Sequence, residues 1–190
     1  ITKKFKPYPT SLSFIFLMML ALNSSLLHAQ VEPKYSRLSL LEASSEMKAY
    51  QKDLISGMNL TEKHKRLLLN EGLAQLFLDG NRLERLQVRQ RLQKIFFDSI
   101  SDPSAQKSAK DSAITNLDAL ARSNKISING SINAALFLGE LREKNGQIVQ
   151  TATEPLSKLV TDETITPAVR IAALLGLGSR TKEAREATQN

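Results

Sequence analysis

The feature that most constrains this chain is self-similarity at a spacing of 39 residues in its C-terminal half. Shifted by that amount, Leu117 falls on Leu156, Leu120 on Leu159, Ile132 on Ile171 and Ala134 on Ala173. Leu136 then falls on Leu175, Leu138 on Leu177 and Gly139 on Gly178. Each copy reads as an amphipathic first helix, a connection, and a second helix that is apolar nearly all round. Such a helix has to be covered on several sides, as happens when helical hairpins stack. Apart from the two glycines, these twelve residues are the expected core of the repeat. The small Ala134 and Ala173 allow close helix approach, and the glycines stand where the second helices end.

A spacing near 40 with two helices per unit belongs to the HEAT and armadillo class. The segment Thr166-Pro167-Ala168-Val169-Arg170-Ile171-Ala172-Ala173-Leu174-Leu175-Gly176-Leu177-Gly178 resembles the second helix of a HEAT repeat. The earlier copy, from Gly130 to Gly139, keeps the small and apolar positions but lacks the Val-Arg pair. With its helical N-terminal part, the chain is similar to exported bacterial HEAT-repeat proteins without an assigned activity. The resemblance implies an all-α fold, a right-handed superhelical stack of helical hairpins that binds partners, and no chemistry. It covers roughly residues 114–180, and the last two hairpins are expected at about 104–141 and 154–179.

The rest of the chain supports the same class. Leu40, Ala43, Met47, Tyr50 and Leu54 follow 3-4-3-4 spacing, and Gly57 is placed to end that helix in the left-handed conformation. Thr61 can cap a second helix carrying Leu69, Leu73, Leu76 and Phe77 and stopping at Gly80. A third is expected from about Asn81 to Ser99, with Val88, Leu92, Ile95 and Phe96 inward. Asp102-Pro103 opens a fourth, with Ala109, Ala113, Leu117 and Leu120 inward. No stretch shows sustained period-2 alternation; Lys125-Ile126-Ser127-Ile128, the one short strand candidate, sits in a connection.

The N-terminus reads as an address. Lys3, Lys4 and Lys6 precede an apolar run from Leu12 to Leu22 and a small residue, Ala29. These are the parts of a secretory signal peptide. These eleven residues, broken only by Ser13, rise about 16 Å as a helix against roughly 30 Å of hydrocarbon, too short to span a bilayer alone. The expected organisation is therefore a signal peptide over 1–29 and a linker over 30–35. An N-terminal helical region over 36–102, two HEAT-like repeats over 103–180 and a tail over 181–190 follow. The location is exported, periplasmic or extracellular, with membrane contact only in transit; an uncleaved N-terminal anchor is the alternative.

The full chain carries 26 Lys and Arg against 19 Asp and Glu. Removing the three lysines of the leader leaves 23 against 19, a mild balance of +4 that makes no case for nucleic acid. The absence of cysteine removes disulfides, thiolate metal sites and a cysteine nucleophile. His64 is the only histidine beyond the leader and sits in the charged turn Glu62-Lys63-His64-Lys65-Arg66, so a solvated ring is expected there. Asp162-Glu163 and Glu140-Glu143 lack an obvious convergent group, and no Gly-x-Ser-x-Gly elbow or glycine-rich phosphate loop occurs.

No catalytic residue, cofactor or metal ligand is therefore assigned. Arg82, Arg85 and Arg89 share one helical face and form either a cationic stripe for a partner or a solvated surface. The expected function is a noncatalytic interaction or scaffold module that binds an unidentified protein or envelope component through a helical-repeat surface. The alternative is a HEAT-like enzyme or nucleic-acid-binding protein whose N-terminal segment is uncleaved or misread.

Overall fold

Four helices open on side chains placed just ahead of them. Ser44 accepts from the Met47 amide at 3.1 Å, Thr61 from His64 at 3.3 Å, Asp102 from Ala105 at 2.6 Å and Ser127 from Gly130 at 3.2 Å. Each satisfies a backbone donor that the first helical turn leaves without an intrahelical acceptor. In the computed structural model the described residues are 33–78, 81 and 84–189, the side chains of 180–189 excepted. The expected leader over 1–29, the first residues of the linker, Gly80, Arg82 and the side chains of the expected tail lie outside them.

The described residues form eight α-helices: α1 (Leu38–Ala43), α2 (Ser45–Ile55), α3 (Glu62–Arg66), α4 (Arg85–Gln93), α5 (Pro103–Ala121), α6 (Ile128–Glu140), α7 (Thr153–Thr161) and α8 (Pro167–Gln189). The fold is all-α; among the described residues the only β pairing is a single antiparallel bridge between Arg142 and Ile148. Lys125-Ile126-Ser127-Ile128 is no strand: Ser127 is the cap of α6. Gly57 follows α2 with φ +83°, the conformation its position predicts.

The N-terminal half departs from uniform helical spacing. Ser44 is extended (φ −68°, ψ 154°) and splits the first expected helix in two. The inward face restarts there, so Leu38 and Leu41 are buried while Leu40 is 51% exposed. A π-helical turn over Leu67–Gly72 follows α3, and another over Lys94–Asp98 follows α4. Each inserts a residue and rotates the inward face by about 100°. Leu68 is consequently buried where Leu69 was expected, and Phe97 joins Phe96 inside. The third helix is shorter than expected, its α-helical part beginning at Arg85.

In the C-terminal half α5 packs on α6 and α7 on α8, while α6 also packs on α8 and α5 on α7. Leu117, Ala134, Leu138, Leu156, Leu159 and Ala173 are completely buried. Leu120, Ile132, Leu136 and Leu177 are partly buried against the same core. Ile171 and Leu175 depart from the expected repeat core, being 58% and 63% exposed. They lie on the side of α8 away from α6 and α7, where no described element packs. Residues Pro33–Asn190 form one compact unit. No described helix is long and apolar enough to cross a membrane.

Candidate functional site

The side of α4 that turns toward α6 carries Arg89 beside the core residue Val88. Arg89 is 7% exposed, so its guanidinium has left water and needs acceptors that replace hydration. Helix α6 supplies them from one face, two turns apart. Arg89 Nε donates to Glu140 Oε2 at 2.7 Å and Nη2 to Glu140 Oε1 at 3.0 Å, a bidentate fork. Its Nη1 donates to Asn133 Oδ1 at 2.8 Å, and Asn133 in turn donates to the Asn129 carbonyl at 2.7 Å.

Over this pair lies an open groove of about 400 Å³ walled by Leu86, Gln90, Gln93, Phe137 and Arg142. Gln93 is held in place by donating to the Arg142 carbonyl at 3.1 Å and to Asp98 Oδ1 at 2.7 Å. Beneath, Phe97 and Phe137 pack with ring centroids 6.4 Å apart. The groove thus has a rigid charged floor, carboxamide walls and one exposed apolar side chain, Leu86, at 54%.

Two further clefts are held by charge pairs that the sequence does not reveal. A groove of about 540 Å³ runs between α5 and the connection to α7, with Lys110 at its base. Lys110 is 2% exposed, and its ammonium donates to Glu143 Oε2 at 2.6 Å. Glu140 and Glu143, expected to stand without a convergent group, therefore each meet a buried cation.

A smaller cleft of about 210 Å³ lies between α2 and α3 and contains Tyr50, Asp53, His64 and Glu71. Here His64 is buried rather than solvated, at 5% exposure. The capping box turns its ring inward: Nδ1 accepts from the Thr61 amide at 3.3 Å. That leaves the proton on Nε2, which donates to Asp53 Oδ2 at 3.2 Å. Tyr50 meets the ring edge-on at 5.5 Å, and burial pushes its phenol well above the usual tyrosine range. Both ring nitrogens of His64 are thus engaged within the protein. Among the described residues no group of three or more His, Asp or Glu is placed to hold a metal.

Of the three arginines expected on one face, the structure takes Arg89 out of the surface. Arg89 is internal, Arg85 is partly buried with no hydrogen-bond partner for its Nε, and Arg82 lies outside the described residues. The physical reason is that α4 turns this face toward α6, whose Asn133 and Glu140 draw Arg89 in. Arg91, further round the helix, pairs with Glu42 of α1. The rigid groove is the part of this legible neither from spacing nor from charge, because both partners of Arg89 lie more than forty residues away.

Fold and groove together define an all-α protein with open clefts. No family model, characterised protein or solved structure matches the chain.

Proposed function

We propose that the chain is an exported, noncatalytic interaction module built as a HEAT-like superhelical stack, and that it binds a polypeptide or envelope component in the groove between α4 and α6. The stack is supported by the 39-residue register and by the neighbour pattern, first helix beside first and second beside second in successive hairpins. Export is supported by the basic and apolar leader. The observation that carries the binding role is the groove itself. A bidentate ion pair fixes its floor, and the exposed Gln90 offers a donor and an acceptor beside the exposed Leu86, while Gln93 is held by Asp98 and Arg142. An apolar anchor beside an exposed amide in an open groove suits an extended chain better than a small substrate, which calls for an enclosed pocket.

The test is capture from envelope extracts on immobilised wild-type protein and on Leu86→Glu, with bound species quantified by mass spectrometry. A binder retained by wild type and lost by the variant is expected. A binder held equally by both overturns the groove as the binding face, and the absence of any binder overturns the module. Mass determination after expression with the leader is expected to show loss of residues 1–29.

A further inference from the structure

We propose that the turn between α6 and α7 is a self-modifying site, in which Asn145 deamidates spontaneously through attack by the Gly146 nitrogen, while Asn129 does not. The chain contains two Asn-Gly pairs, Asn129-Gly130 and Asn145-Gly146. A following glycine has no side chain to shield its nitrogen, which can then reach the asparagine side-chain carbon Cγ. The fold makes the two pairs unlike. Asn145, Gly146 and Gln147 are all exposed. Gly146 has φ +83°, and a Cβ built on it would meet nothing within 4 Å. Gly130 is buried, and a Cβ there would lie 2.6 Å from the Phe77 ring. Asn129 lies within α6, where Cβ leans toward the helix N-terminus and carries the side chain away from the nitrogen that follows.

Gln147 prepares the Asn145 amide for attack. Its backbone N–H donates to Asn145 Oδ1 at 3.0 Å, and Asn145 Nδ2 donates to Gln147 Oε1 at 3.0 Å. The first bond draws electrons from Cγ and stabilises the charge that builds on Oδ1 as the nitrogen adds. The Gly146 nitrogen loses its proton to hydroxide and bonds to Cγ; the Cγ–Nδ2 bond breaks, and Nδ2 leaves as ammonia with a proton from water. Water then opens the cyclic imide at either carbonyl, giving aspartate or isoaspartate at position 145. One contact opposes the first step, the bond from Gly146 N–H to the Glu143 carbonyl at 2.9 Å. It is a single turn contact on exposed chain and opens at little cost. Freeing the Gly130 nitrogen from Ser127 Oγ instead requires opening α6 ahead of the core residue Ala134. The product adds a carboxylate close to Glu143, which holds the buried Lys110 in the groove beside α5. The chemistry needs only water, so it stands or falls separately from the partner-binding reading.

The test is to age the folded wild-type protein at neutral and at mildly alkaline pH, digest it, and read each peptide by mass spectrometry. The expected result is an amide-to-acid mass gain at Asn145 that grows with time, and faster at the higher pH, with Asn129 unchanged. The same chain aged in guanidinium is expected to convert at both positions, since only the fold distinguishes them. Gly146→Ala puts a side chain beside the attacking nitrogen and is expected to slow conversion at Asn145, with an unchanged helical circular dichroism spectrum. No gain at Asn145 in the folded protein overturns the proposal, and so does a gain at Asn129 as fast as that at Asn145. Conversion that Gly146→Ala leaves unslowed overturns attack by that nitrogen.

Discussion

Gly139 of α6 and Gly176 of α8 meet so closely that a Cβ built on Gly139 would lie 2.5 Å from the Gly176 Cα. The obstacle is backbone rather than the end of a flexible side chain, so the helices themselves would have to part. Gly139→Ala is therefore expected to destabilise the fold by about 1–3 kcal/mol, as overpacking does. Gly178→Ala, where an added Cβ meets nothing within 4 Å, is expected to stabilise by up to about 1 kcal/mol through helix propensity. Urea titration of both variants in dilute solution checks the pair; equal effects would contradict the contact.

Ala173 is completely buried on α8. Ala173→Arg would overpack the interface and bury a charge without a partner, for a cost of several kcal/mol. Against a total stability of about 5–15 kcal/mol, partial unfolding is expected. A thermal melt with an unchanged midpoint would refute the packing described for α8.

Arg89 and Glu140 tie α4 to α6. Arg89→Ala leaves Asn133 without its donor and Glu140 without its counter-ion, but Glu140 keeps 38% of its side-chain surface in water. The cost is therefore expected near the ordinary range for a charged hydrogen-bonded pair, about 1.5–3 kcal/mol, rather than that of a fully buried one. In a double-mutant cycle with Glu140→Ala the coupling is expected at about 0.5–3 kcal/mol. A coupling of zero would show that the fork contributes nothing to holding the two helices together.

Glu46 accepts from Lys34 Nζ at 2.5 Å and from the Tyr35 hydroxyl at 2.6 Å. The lysine, then the tyrosine, hold its carboxyl at about 2, below the ordinary 4.5. A depressed carboxylate contributes stability that is present above its unfolded value and is lost as pH falls through the folded one. The loss is expected between about pH 4.5 and 2, and it is small because the pair is exposed. An NMR titration of Glu46 reads the value directly, and Glu46→Gln is expected to flatten the acid limb of stability against pH.

Sequence alone determined what depends on near neighbours in the chain. Thr61 and Asp102 cap the helices they precede, Gly57 ends one, and Ala109, Ala113 and Leu117 fall on one buried face, because caps and 3.6-residue periodicity are local. The 39-residue register picked out Ala134 and Ala173, which are both completely buried. Tertiary structure decided which faces were covered, since burial belongs to the neighbours a residue acquires and not to the residue. Ile171 and Leu175 match half-buried counterparts, Ile132 and Leu136, in spacing and type, yet nothing described packs on their side of α8. Arg89 and His64 read as surface groups and lie inside. A guanidinium or imidazole enters the interior only when distant chain brings acceptors to meet it, here Asn133 and Glu140 for one and Asp53 for the other.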